Sequence, residues 1–307
     1  VTRIAWTDES WSPIKGCGPA ASPGCTHCWV PGFARRNAAN PKNTPEVRNA
    51  WRDVIPWDGT VRLVESQLSI PLRWKKPRMV ATCLHTDLFH KNIPDEWIDR
   101  VFAVMGLCPQ HTFQLLTKRP ERMRDYITMP TRHNRLEHCA YDMVDTALAF
   151  EPHARCWDRG ASFDWPLPNV HLGVSVENQR TADERIPLLL QTPAAVRFVS
   201  LEPMLGPVNL RDEWLSGQTG TAVRRFYDGD WGAVEREPKL SQIILGCESG
   251  PHRRPCEIKW MTDVVEQRWG TRAKAFVKQV SIGGKVSHNM DEWPEALRVQ
   301  EYPKETT

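Results

Sequence analysis

The sequence predicts an α/β protein built on a parallel sheet, open or closed into a (β/α) TIM-type barrel, with the barrel or partial barrel favoured. Three observations carry this reading. Short, near-continuously apolar runs recur along the chain, as strands buried on both faces require. Amphipathic helical patterns separate several of them. Polar residues recur just past the ends of the runs, where the loops of a (β/α) barrel converge.

The runs are Met79–Cys83, Thr112–Leu116, Val170–Val174, Val196–Val199, Gln242–Leu245 and Ala275–Val277. "PDEWIDRVFAVMGLC" opens with Pro94 and acidic residues, then places Trp97, Ile98, Val101, Phe102 and Met105 at helical spacing. "NQRTADERIPLLLQT" repeats the pattern after the run at 170–174, and "EIKWMTDVVEQRWG" does so before the last run. The polar sets are His85, Thr86 and Asp87; Thr117, Lys118 and Arg119; Ser175, Glu177 and Asn178; Ser200 and Glu202; Glu248 and Ser249; and Lys278 and Gln279. A single one of these is as readily a helix cap as a ligand, but sets recurring at strand ends point to a site. Two segments interrupt the rhythm of an otherwise single domain of residues 1–307. Residues 131–167 are polar and irregular, and residues 211–238 are rich in glycine and charge. Both read as insertions at a barrel rim, either lids or disordered excursions.

Apolar residues make up 40% of the 307 and charged residues 25%, the balance of a globular protein with a well-buried core. No apolar run approaches the roughly 20 residues that span a bilayer, and the start carries no secretory pattern. The expectation is a cytoplasmic protein without a membrane partner. A net charge of +3 and a pI near 8.4 permit an anionic substrate. They fall short of the pI above about 9 with clustered cations that marks a nucleic-acid-binding domain.

The stretch "GCGPAASPGCTHCW" gathers Cys17, Cys25 and Cys28. In a reducing compartment such thiols are free, metal ligands or cluster ligands rather than disulfides. The other six, Cys83, Cys108, Cys139, Cys156, Cys247 and Cys256, are scattered and read as small buried hydrophobes. Three readings of the loop stay open on the residues alone. A structural zinc site needs four ligands. Cys25 and Cys28 form one knuckle, Cys17 or His27 a third ligand, and His85, His90 or Cys256 a distant fourth. Coincidence is the second reading, and Gly16, Gly18, Pro23 and Gly24 speak against it, because they make a loop able to wrap an ion or cluster. The third is an iron–sulfur cluster, normally held by four cysteines. With three, one iron is left open for a small molecule such as S-adenosylmethionine, whose sulfonium is cleaved by electron transfer.

The blocks "IAWTDESWSPIKGC…SPGCTHCW", "DLFH", "PDEWIDRVFAVM", "QHTFQLLTKRPERM", "LGVSVENQRTADERIPLLLQTPAAVRFVSLEPMLGPV", "GCESG" and "FVKQ" cover nearly the whole chain outside the two interruptions. In them the chain resembles the phage-associated three-cysteine-motif family, a phage domain of unknown function. That family resembles radical S-adenosylmethionine enzymes and, distantly, the spore photoproduct lyase group. The resemblance implies a barrel of the radical S-adenosylmethionine kind and a 4Fe–4S cluster on Cys17, Cys25 and Cys28. It also implies S-adenosylmethionine as a source of a 5′-deoxyadenosyl radical, an external electron donor such as flavodoxin or ferredoxin, and a chain encoded by a phage or its bacterial host. The chain departs from the family pattern in a longer first cysteine interval and in Cys247, which stands where glycine is expected.

His27 occupies the place where that superfamily has an aromatic residue and would stack on the adenine. Ser175, Glu177 and Asn178 suit the ribose hydroxyls and the amino group, with Asn178 equally suited to capping the next helix. Ser200 and Glu202 lie at the barrel mouth, where an inward carboxylate needs a cation such as the sulfonium or the ammonium of the cofactor. Glu248 sits between glycines that admit a ligand close to the backbone. Lys118 and Arg119 would hold a carboxylate or phosphate, and Lys278 and Gln279 close the rim. Asp87, His90 and Lys118 are the candidates for proton handling. Trp157, Trp165, Phe226, Tyr227 and Trp231, with Arg224 and Arg225, would stack on and pair with a nucleotide or nucleic-acid base that is modified or repaired. The alternative is a zinc-stabilised nucleic-acid-binding protein without turnover.

Overall fold

Seven strands lie side by side in chain order and run parallel. The computed structural model describes residues 4–19, 22–146, 162–215, 223–224, 234–235, 239–250 and 252–303. The strands are β1 (Glu9–Trp11), β2 (Met79–Thr82), β3 (Thr112–Thr117), β4 (Val170–Ser175), β5 (Val196–Leu201), β6 (Gln242–Gly246) and β7 (Lys274–Ile282). An eighth, β8 (Lys285–Ser287), returns antiparallel to β7 through Gly283 and Gly284, both at positive φ as a tight hairpin turn requires. Among the described residues β1 and β8 are edge strands, so the sheet is open rather than a closed barrel.

Each run expected as a strand is one. To this sheet the structure adds β1 and β8, and it lengthens β7, whose C-terminal half is held by the hairpin rather than by its own apolarity. The helices of two turns or more among the described residues are α1 (Val30–Ala39), α2 (Pro45–Asp53), α3 (Asp95–Gly106), α4 (Pro120–Ile127), α5 (Arg132–Thr146), α6 (Gln179–Leu190) and α7 (Ile258–Gln267). The Thr44 hydroxyl caps α2, and Asn178 with Thr181 forms a reciprocal capping box at α6. Among the described residues, no helix is long and apolar enough to cross a membrane.

Alternation sends successive side chains to opposite faces of the sheet. Val80, Leu115, Leu172, Val199, Leu245 and Val277 join one core with helix residues such as Phe102, Ile186 and Val264. On the other face Ala81, Phe198, Ile244 and Phe276 pack around Trp6, whose ring centroid is 6.5 Å from that of Phe198. Among the described residues, no helix residue takes part in this second cluster. The N-terminal segment therefore covers the inner face, and the helices cover the outer one.

The expected insertion at 131–167 begins with α5, docked on α3. Arg132 is fully buried, stacks on Tyr126 at 3.5 Å and pairs with Asp95 and Asp99. Trp165 packs against Phe102 and donates to the Ile127 carbonyl at 3.2 Å, so it serves the core and does not stack on a base. Residues 147–161 and most of 216–238, including Trp157, Arg225, Phe226, Tyr227 and Trp231, lie outside the described residues.

Candidate functional site

The C-terminal ends of the parallel strands open into one cavity of about 370 Å³, within the range of small-molecule sites. Every one of the seven contributes, directly or through the loop that follows it. Cys17, Cys25, His27 and Cys28 come from the connection after β1, and His85, Thr86 and Asp87 follow β2. Lys118 and Arg119 follow β3, Ser175 ends β4, and Ser200 and Glu202 lie at the end of β5. Cys247, Glu248 and Ser249 follow β6, and Lys278 projects from β7. Ile4 and Trp6 also line the cavity, from the N-terminal segment, as do Trp29 and Trp57.

Most of the residues expected from strand-end position thus meet in one place. Four do not line it: Glu177, Asn178, Gln279 and His90. Asn178 is spent on the α6 cap. Gln279 is buried and donates to the Cys247 carbonyl at 2.6 Å. His90 is buried, and its Nδ1 accepts the Asn92 amide at 3.2 Å. Burial and the nearby Arg119 charge lower its pKa. Asp87 lines the cavity but accepts from Thr117 at 2.7 Å, the Lys118 amide at 3.0 Å, Arg119 at 2.7 Å and the Phe89 amide at 3.1 Å. So committed a carboxylate organises the β2 and β3 loops rather than waiting for a proton.

The cysteine loop is held from several sides. Gly16 has φ +92° and abuts the Thr60 carbonyl, a place no Cβ fits. A Cβ on Gly24 would stand 2.8 Å from Glu177 Oε1. The Ser22 hydroxyl donates to Glu177, Arg254 donates to the Pro23 carbonyl at 2.9 Å, and His27 Nδ1 lies 3.2 Å from Glu248 Oε2. Arg254 also grips both oxygens of Glu248. His27 is therefore tied to Glu248 at the cavity wall. Ser22, Arg185 and Arg254 are anchors that sequence reading missed, since nothing local marks a partner so far along the chain.

Charges at the site are mostly matched. Glu177 is fully buried between Arg185 at 3.1 Å and Lys118 at 3.4 Å. Burial alone would raise its pKa, but those two cations hold it below the ordinary carboxylate value. Lys278 pairs with Glu202. Burial, with the Asp87 charge, raises the Cys17 thiol, and burial raises Cys28.

A bound metal reverses that preference, because a coordinating thiol is deprotonated outright. Among the described residues, no group of three or more His, Cys, Asp or Glu side chains converges on a point where a single ion could sit. Of the expected fourth zinc ligands, His85 is stacked on Phe33 at 4.5 Å, His90 lies behind the wall, and Cys256 does not line the cavity. A cluster makes a different demand, since each iron takes one thiolate and the thiols stand apart around it. Cys17, Cys25 and Cys28 line one cavity. The Gly18 and Val30 amides point at the sulfurs of Cys17 and Cys28, and α1 starts two residues past Cys28. Amide donors and a helix N-terminus both favour thiolate. These thiols, amides and the helix start are the groups that a metal or cluster held here would draw on.

Comparison with curated proteins and with solved structures finds no match. Residues 1–300 match the family model described as DUF5131, protein of unknown function, and the chain belongs to that family.

Proposed function

We propose that this chain is a radical S-adenosylmethionine enzyme, on a partial (β/α) barrel, that modifies or repairs a nucleotide or nucleic-acid base. The observation that carries the reading is the meeting of Cys17, Cys25 and Cys28 with the polar ends of all seven parallel strands in one cavity. When bound, a 4Fe–4S cluster with one open iron supplies the electron that cleaves the sulfonium of S-adenosylmethionine.

The partial barrel is supported by the inner face. Ala81 on β2 and Phe276 on β7 are five strand spacings apart, about 24 Å in a flat sheet. Both nonetheless belong to the single cluster around Trp6. Sequential strand order with the helices on one face fits the same curvature.

The chain's own residues would act as follows. Cys17, Cys25 and Cys28 hold the three irons that protein ligates. Ser175 and Ser200 are neighbours in register on β4 and β5, and their hydroxyls suit a ribose. Glu202 offers the carboxylate that a sulfonium and an α-ammonium require, with Lys278 holding it in place. Lys118 and Arg119 set the positive side of the cavity, from which an anionic group is held. Trp6 beneath and Trp29 and Trp57 beside the site limit water, as a radical reaction needs. An external electron donor such as flavodoxin or ferredoxin, a cytoplasmic location, and a phage or bacterial-host origin belong to the same proposal.

Anaerobic purification tests it. The protein should be brown, carry iron and sulfide, and release 5′-deoxyadenosine from S-adenosylmethionine on reduction. Replacing the three cysteines with Ala should abolish both properties. A colourless protein with one tight zinc, unchanged by anaerobic reconstitution, would overturn the reading.

A further inference from the structure

We propose that the base reaches this cavity as part of a nucleic-acid strand whose phosphates lie along α1 and the loop after it. The inference rests on the nucleobase reading of the site and adds the polymer and the face it uses.

Charge is unevenly spread over the chain. The 37 acidic residues of the sequence skip the stretch 10–45 altogether, while Lys15, Arg35, Arg36 and Lys42 fall within it. The modest overall charge therefore conceals a stretch beside the cavity that contributes cations but no carboxylate of its own. Lys15 is buried and takes no part. Arg35, Arg36 and Lys42 are exposed, and among the described residues none of them has a carboxylate partner. This contrasts with Arg119, Lys118 and Lys278 inside the cavity, each of which already faces a carboxylate.

The same wall carries a stacking surface. Trp29 lines the cavity yet is 51% exposed, an uncommon state for the largest apolar side chain. Its ring stands nearly perpendicular to Phe33 at 5.4 Å and to His85 at 5.6 Å, and half of its surface stays open to solvent. Positions 29, 33 and 36 share one helical face, and Arg36 folds back so that its Nη1 is 3.6 Å from the Cβ position of Gly32. An unpaired guanidinium thus lies within one or two turns of a half-exposed indole at the cavity mouth. Bases stack on aromatic rings whatever their sequence, and adjacent cations follow the backbone. An acidic electron-carrier protein would also use the cations but would have no need of the indole.

Fluorescence anisotropy with a labelled single-stranded DNA 12-mer, its RNA counterpart and the mononucleotide, over 50–200 mM salt, tests the proposal. Replacing Arg35, Arg36 and Lys42 together with Ala should weaken oligonucleotide binding and flatten its logarithmic salt slope by about 2. It should leave the mononucleotide unaffected. Trp29→Ala should weaken both ligands by about tenfold or more without changing the slope, and Trp29→Phe should restore most of the loss. Oligonucleotide binding no tighter than that of the mononucleotide, or indifferent to the triple variant, would overturn the proposal. So would a triple variant that slows reduction by flavodoxin while binding the oligonucleotide normally, since the face would then belong to the electron donor. Release of 5′-deoxyadenosine is measured in parallel. Its absence alongside the expected binding pattern defeats the radical reading and leaves the nucleic-acid face standing.

Discussion

Ser22, in the cysteine loop, donates its hydroxyl to Glu177, which lies 155 residues on at the end of β4. Through that bond the loop is tied to a fully buried carboxylate that also neutralises Arg185 and Lys118. Glu177→Ala would leave the buried Arg185 guanidinium without its carboxylate and would free Lys118 at the cavity wall. The expected cost is about 3–5 kcal/mol, the usual penalty for removing one partner of a buried pair, read from urea unfolding. Unchanged stability with loss of S-adenosylmethionine binding would instead make Glu177 a ligand contact.

Gly24 lets the loop lie directly on that carboxylate. Gly24→Ala places a Cβ 2.8 Å from Glu177 Oε1, and overpacking of this kind costs about 1–3 kcal/mol. The fold should survive, but the loop should move and iron content per anaerobically purified chain should fall. Gly16→Ala meets both a positive φ and the Thr60 carbonyl, so its loss of stability should exceed that of Gly24→Ala.

The contrast between Ser200 and Glu177 shows what was legible in the sequence. All six apolar runs are strands, because a strand buried on both faces declares itself in every residue. Glu9–Trp11 does not declare itself: three residues with a Glu and a Ser become a strand only by pairing with β2. At the site, residues at or next to a strand end, such as Ser175, Ser200 and Lys118, do face the cavity. Two or three residues farther on, turn geometry decides the direction, and Glu177 and Asn178 turn into the wall. Arg254, Ser22 and Trp6 reach the site only through tertiary folding. No local pattern announces them.

Glu202 carries a prediction about charge. If it holds the cationic centre of S-adenosylmethionine, Glu202→Gln should weaken binding of that molecule by about tenfold or more. It should barely affect S-adenosylhomocysteine, which lacks the sulfonium. Equilibrium dialysis of both ligands reads the difference. Equal losses would rule out the sulfonium contact and assign Glu202 to the α-ammonium that both ligands share or to the framework, through its pair with Lys278.

His171 makes stability depend on pH. It lies on the inner face beside Gln114, it is buried, and its Nδ1 meets no protein partner. Burial pushes its pKa down from 6.5 to about 4. Between those values the unfolded chain binds a proton that the folded chain refuses. The contribution is therefore complete above pH 6.5 and is lost as pH falls towards 4, by about 3 kcal/mol in all. His85, lowered to about 3 by burial and by Lys15, adds a loss of the same sign. His171→Gln removes one of these titrations, so urea unfolding across pH 7 to pH 4.5 should show a shallower decline than in the unaltered protein. An identical decline in both would mean that the imidazole is charged in the folded state, with a carboxylate drawn against it.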